Sequence, residues 1–288
     1  MIEKEIEFRK KRELSEIISD SFAFIRQEYK PISKLIFTYV LPFLILYGIV
    51  AVYVQMKVIG ILDLSNPESM MANIGPVYLN LLLFSLFGIF VQSLLIGTFY
   101  SYLEIYIKKG KGNFELSEIT PLLFSNGLLA LSASIVLFAV VMFGMFIFII
   151  PGIYFANTFS LVIIIFMFEK KGLGNAFLRS WILVKSQWWN TFLLNIIGLV
   201  IISVMSFVIS LPSSIFSAST NVMNSMKPGL VEQPQSYWIF IGLSTIVSSL
   251  FWIIPYTFIT MQYLNLDERT KPKIPLQNSM AKNETEYK

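Results

Sequence analysis

The sequence predicts an all-α, polytopic membrane bundle with six transmembrane helices and cytoplasmic interfacial amphipathic helices. Two observations lead to it: six long apolar segments carry no charged residue, and Lys and Arg fall almost entirely on alternate connections between them. The segments are 35–56, 77–103, 128–150, 153–168, 189–211 and 237–266. Most reach the roughly 20 residues that a helix rising about 1.5 Å per residue needs to cross about 30 Å of hydrocarbon.

Each segment is bounded by its own signals. The first follows a charge-rich stretch, 1–34, with no short apolar core and small-residue cleavage site, so it reads as an uncleaved anchor. Between Glu118 and Glu169 there is no ionisable acid or base, far more chain than one crossing uses. A break is therefore expected at Pro151-Gly152, because proline cannot continue the preceding helix but suits the first turn of the next. The fourth segment is short and needs its flanks or a locally thinner bilayer. The polar stretches, Lys57 to Pro76, Pro212 to Ser236 and the tail 267–288, read as connections, leaving one membrane domain, 35–266.

Twenty of the 22 basic residues lie on one side of this topology. Cytoplasmic loops carry such an excess, so both termini are expected in the cytoplasm of a bacterium, with the chain in its cytoplasmic (inner) membrane. The net charge of +4 then reflects basic residues facing anionic headgroups rather than nucleic acid.

An internal repeat of three units is suggested by ELSEI at Glu13 to Ile17 and again at Glu115 to Ile119, with a looser copy near Leu173. Aligning Leu14, Leu116 and Leu173 also aligns Phe22, Phe124 and Trp181, and pairs Ser21 with Ser180. Each unit would be an amphipathic helix followed by two crossings. In the first, Leu14, Ile17, Ile18, Phe22 and Ile25 recur at helical spacing; in the third, Leu173, Phe177, Trp181, Val184 and Trp188 do. Such helices lie in the interface plane, where they cover the bundle or offer a platform to a partner.

Composition bears on chemistry. With no Cys and no His, thiolate and imidazole mechanisms are absent, leaving carboxylates such as Glu104, Glu169 and Asp267 as the groups for a metal-assisted reaction. None has recognisable metal-ligand spacing, and the expectation is a non-enzymatic protein without a cofactor. Inside the crossings the polar residues are neutral: Asn80, Gln92, Asn157, Asn195, Ser203, Ser206, Ser210, Ser244, Thr245, Ser248 and Ser249. They serve helix packing, as the Ser206/Ser210 spacing suggests, or line a path for a lipid headgroup or neutral solute.

From Pro151 to Trp189 the chain reads PGIY, then Ser160, Glu169, Gly174, Ala176 and RSWILVKSQWW. This stretch resembles the bacterial family named after the membrane region of glycerophosphoryl diester phosphodiesterases, and uncharacterised six-helix proteins related to it. The resemblance implies a Pro-Gly hairpin, a Glu after the next crossing and an amphipathic helix ending in Trp. It implies no hydrolytic activity, since that family's catalytic barrel has no counterpart here. Phe8 to Pro42 also resembles membrane proteins of Bacteroidota, some encoded beside MoxR-type ATPases, which points to a multi-protein assembly. Within the resembling segment, Glu169, Arg179, Ser180 and Lys185 are the candidate site residues: a Glu169–Arg179 contact fixing the amphipathic helix, or Arg179 and Lys185 engaging a lipid phosphate. The leading expectation is an accessory or scaffolding subunit of a membrane assembly that contacts membrane lipids and a membrane-protein or cytoplasmic partner. The alternative is a transporter or channel for a lipid or small neutral solute, favoured if the neutral polar residues line one cavity.

Overall fold

The computed structural model describes residues 6–59, 67–226 and 232–271, and among these all regular structure is helical. In chain order the helices are α1 (Leu14–Tyr39), α2 (Leu41–Val54, prolonged by a π-helical turn Gln55–Ile59), α3 (Pro67–Lys109), α4 (Thr120–Ile147), α5 (Ile149–Thr158), α6 (Val162–Glu169), α7 (Leu173–Ser186), α8 (Trp188–Met226), α9 (Gln235–Leu250) and α10 (Ile253–Thr270). Six stretches are long and apolar enough to cross a membrane: Leu41–Val58, Ile74–Lys109, Thr120–Ile147, Ile149–Glu169, Trp188–Met226 and Gln235–Thr270. The protein is a multi-pass membrane protein. The expected tail beyond Lys271 lies outside the described residues.

Several boundaries differ from the sequence expectation. The first crossing starts at Leu41, not Leu35, because Leu35 and Ile36 belong to the buried face of α1. Pro42, in the first turn of α2, has no N–H for the carbonyl four residues back, and the helix divides at Val40. The hairpin turns at Phe148, the single extended residue between α4 and α5, and not at Pro151-Gly152, which lies inside α5. Gly152 serves close approach instead: a Cβ there would sit 2.9 Å from the Met145 backbone nitrogen, and one on Gly144 would sit 3.0 Å from the Gly152 Cα. The fourth crossing recruits its flanks but is broken between Thr158 and Val162. Most of the expected loop from Pro212 onward is helix, α8 running through Pro212 to Met226, and α3 begins at Pro67, ten residues ahead of Val77. Hydropathy marks depth in the bilayer, whereas hydrogen bonding continues a helix past it into polar sequence.

The ELSEI copies share one local structure. Glu13 and Glu115 are N-caps in reciprocal capping boxes with Glu16 and Glu118. Their continuations differ. The first opens the 26-residue α1; the second makes one 3₁₀ turn, Leu116–Glu118, and passes directly into the crossing α4, so the middle unit lacks a separate amphipathic helix. The buried face of α1 is Ile17, Ser21, Phe24, Glu28, Ile32 and Leu35, rotated from the expected stripe; Phe22 is 42% exposed. That rotation follows from packing, because α3 presents the Tyr102 hydroxyl to the Glu28 carboxylate, 2.6 Å away.

The core sits at the end where the charged residues gather. Ten consecutive residues of α10, Thr257 to Leu266, are buried, so this helix is enclosed on all sides. Around it pack α1, α8, α7, α3 and α6. Gly97 of α3 lies against Gly127 of α4 so closely that a Cβ would fall 2.8 Å from the Gly127 Cα.

Candidate functional site

At the charged end, polar side chains from distant parts of the chain converge on α10. Arg12, with a fully buried side chain, donates to Asp20 Oδ2 (2.8 Å) and the Phe8 carbonyl (2.8 Å), and also to the Glu7 carbonyl. Its backbone N–H donates to Asn265 Oδ1 (2.8 Å), and its carbonyl accepts from Arg269 (2.7 Å). Asn265 donates in turn to Gln262 Oε1 (3.1 Å), and Gln262 to Thr191 Oγ1 (2.8 Å), carrying the chain of bonds into α8. Burial works to raise the carboxyl pKa of Asp20, but the hydrogen bonds and positive charges of Arg12 and Lys10 outweigh it and hold the group below its ordinary value.

The four sequence-predicted residues separate here. Arg179 Nε lies 3.4 Å from Glu169 Oε1 and its Nη2 donates to Asp267 Oδ1 at 2.6 Å, so one guanidinium ties α7 to the ends of α6 and α10. Glu169 also accepts from the Tyr263 hydroxyl (3.1 Å). The two carboxylates converge, as a metal-dependent site would require, but a guanidinium lies between them; Glu104 pairs elsewhere, with Lys108 (2.7 Å) and Lys170 (3.4 Å). Ser180 is fully buried and donates to the Thr158 carbonyl (2.7 Å), one left free by the break between α5 and α6. Trp188 Nε1 donates to Thr158 Oγ1 (3.1 Å), and Asn157 to the Trp188 carbonyl (3.1 Å). Asn157 also accepts from Asn195 (2.9 Å), so these two predicted asparagines close the same junction. Lys185 stands apart, exposed on the face of α7 that also carries Leu178, Trp181 and Ile182.

The second arrangement lies deeper. A cleft of about 530 Å³ is lined by Tyr47, Ser85, Gly88, Ile89, Gln92, Ser134, Ser206, Thr245, Ser248, Ser249, Trp252 and Tyr256. Measured along α3, α4 and α10 at about 1.5 Å per residue, its lining residues lie roughly 15–30 Å from Glu104, Glu118 and Asp267, inside the hydrocarbon. It carries no Asp, Glu, Lys or Arg. The sixth crossing divides beside it: Pro255 cannot donate to the Phe251 carbonyl, which Ile254 takes at 3.0 Å in a tighter turn, and Trp252 and Tyr256 line the cleft next to that break.

Five predicted neutral residues meet in the cleft: Gln92, Ser206, Thr245, Ser248 and Ser249. Asn80, Asn157 and Asn195 do not line it, nor do Ser203, Ser210 and Ser244. Tyr47, Ser85, Ser134, Trp252 and Tyr256 went unpredicted, because only the fold brings one or two polar positions per helix to a common height. Arg12, Gln262 and Asn265 were missed at the charged end. For the last two, the signal was an i,i+3 amide pair inside an apolar run.

Residues 113–266, more than half of the chain, match the family described as a domain of unknown function (DUF7847). The chain belongs to this family. The DUF7847 region takes in α4 to most of α10, with Asn157, Glu169, Arg179, Ser180 and the α4, α8, α9 and α10 walls of the cleft. Arg12, Tyr47 and Gln92 lie ahead of the DUF7847 region. No curated protein and no solved structure matches the chain.

Proposed function

We propose that the protein is a non-enzymatic component of a bacterial cytoplasmic membrane that takes a lipid or small neutral solute into the mid-membrane cleft, for transport or delivery, with both termini in the cytoplasm. The observation that carries this reading is the cleft itself: five neutral polar residues scattered over three helices meet at one depth, in a volume within the range of small-molecule sites. Orientation rests on the basic excess at one end. The resemblance of 151–189 to the membrane region of glycerophosphoryl diester phosphodiesterases supports the membrane assignment and brings no phosphodiesterase activity. The guanidinium of Arg179 is held by two carboxylates, which favours a structural role for it over lipid-phosphate binding.

The second reading is an accessory or scaffolding subunit, favoured by the α4–α5 tip. There Phe146, Phe148, Ile149 and Ile150 are all exposed, Phe146 by 90%, at a turn where polar residues ordinarily meet the headgroups. A partner's transmembrane helix would cover them.

Mass spectrometry of lipids, small molecules and proteins that co-purify from native membranes separates the two. One enriched lipid class or solute, lost in Ser206→Phe, supports the cleft reading. An unchanged lipid profile together with a stoichiometric protein partner, released by Phe146→Ser/Ile150→Ser, overturns it in favour of the subunit.

A further inference from the structure

The cleft is more selective than its neutrality requires. Ser85, Thr245 and Ser249 each donate their hydroxyl proton to a carbonyl of their own helix, at Leu81 (2.8 Å), Ile241 (2.9 Å) and Thr245 (2.8 Å). A hydroxyl has one proton, so these three can offer the cleft only acceptor lone pairs. Gln92 and Trp252 are biased the other way. The Gln92 carbonyl oxygen accepts from the Tyr256 hydroxyl at 3.1 Å, which leaves its amide N–H groups as donors, and the indole N–H of Trp252 is a donor only. Among the described residues no acceptor takes the Gln92 amide protons or the Trp252 N–H. The aromatic rings of Tyr47, Trp252 and Tyr256 and the side chain of Ile89 add apolar wall.

Resting on the cleft reading above, we propose that the ligand is an uncharged polyhydroxy group, whose hydroxyls donate to Ser85, Thr245 and Ser249 and accept from Gln92 and Trp252. A hydroxyl does both, whereas an ester or ketone only accepts and a hydrocarbon does neither. A charged group would sit at this depth without a counter-ion among the lining residues, which intramembrane charges ordinarily have. The same chemistry belongs to the glycerol or sugar of a neutral lipid and to a free polyol.

Purified protein in nanodiscs, challenged with monoolein, methyl oleate, glycerol and myo-inositol, tests this by native mass spectrometry and thermal stabilisation. Monoolein has two free hydroxyls and methyl oleate has the same chain with none. The expected result is retention of monoolein over methyl oleate by about tenfold or more, with a loss of similar size in Gln92→Leu and complete loss in Ser206→Phe. Trp252→Phe keeps the ring and removes only the N–H; it carries the same expectation if Gln92→Leu fails to fold. Displacement of monoolein by glycerol or myo-inositol identifies a free polyol as the source, and no displacement identifies the lipid. Equal retention of monoolein and methyl oleate, both lost in Ser206→Phe, overturns the hydroxyl specificity and leaves the cleft reading standing. No retention of any probe, with Ser206→Phe indistinguishable from wild type, overturns both.

Discussion

The charged end and the mid-membrane cleft are both rich in polar side chains, and they use them in opposite ways. Around α10, Arg12, Asn265, Gln262 and Thr191 spend their groups on one another, at distances of 2.8 to 3.1 Å, inside a packed core. Roughly 15–30 Å further along the helices, Ser134, Ser206 and Ser248 face open volume, and the serines that are hydrogen-bonded are bonded only to their own helix. A satisfied network rigidifies and specifies one arrangement, whereas polar groups left facing a cavity contribute little to stability and stay available to a ligand. The same residue types therefore mark the frame at one depth and the site at another.

That contrast is open to graded tests. The largest effect is expected where backbones meet: Gly97→Leu drives a side chain into the Gly127 Cα at the α3–α4 contact and should abolish recovery of folded protein, read as monodisperse material in detergent. Next, Arg12→Met leaves Asp20 and two carbonyls without their buried partner and should cost about 3–5 kcal/mol, measured as a loss of thermal stability, with faster amide exchange in 6–20. Ser180→Ala strips the Thr158 carbonyl of its donor and should cost about 1–3 kcal/mol; an unchanged melting temperature would mean that the α5–α6 break is not held by this bond.

Acid should act on the charged end alone. The carboxyl of Asp20 is held below its ordinary value in the folded protein, so its stabilisation is fully present above the unfolded value of about 3.9 and is lost as pH falls through the folded one. Exchange protection near α1 should therefore drop below about pH 4 in wild type, and Asp20→Asn should remove that step. Smallest of all, Ser134→Ala in the cleft should change stability by no more than about 0.5 kcal/mol; a larger loss would show that the cleft belongs to the frame after all.

How much of this was legible in the sequence depends on which term dominates locally. Burying charge in hydrocarbon is costly enough that the six apolar runs locate the crossings directly, and the Glu169–Arg179 contact follows from two charges one short helix apart. The fully buried place of Ser180 is the packing counterpart of its alignment with Ser21, which is also buried. Arg12 went unpredicted because its desolvation is offset by Asp20 and by carbonyls of the irregular segment 6–13, whose geometry no periodicity encodes. The helix ends were illegible for a related reason, since serine and threonine, as in 213–225, sit within α8 by donating to carbonyls of the preceding turn.

The hydrogen bond from the Arg12 backbone to Asn265 spans 253 positions of sequence. A ribosome delivers Arg12 long before Asn265, and α10, around which the core is built, is the last described helix to emerge. Until the sixth crossing enters the bilayer, the segment around Arg12 can close only on Asp20 and Phe24 of α1 and Tyr106 of α3, without the Asn265 and Arg269 bonds that tie it to α10. Full packing of the core is thus expected only once α10 has docked, and a chain truncated before Ile253 should integrate into the membrane yet lack the bonds that join Arg12 to Asn265 and Arg269.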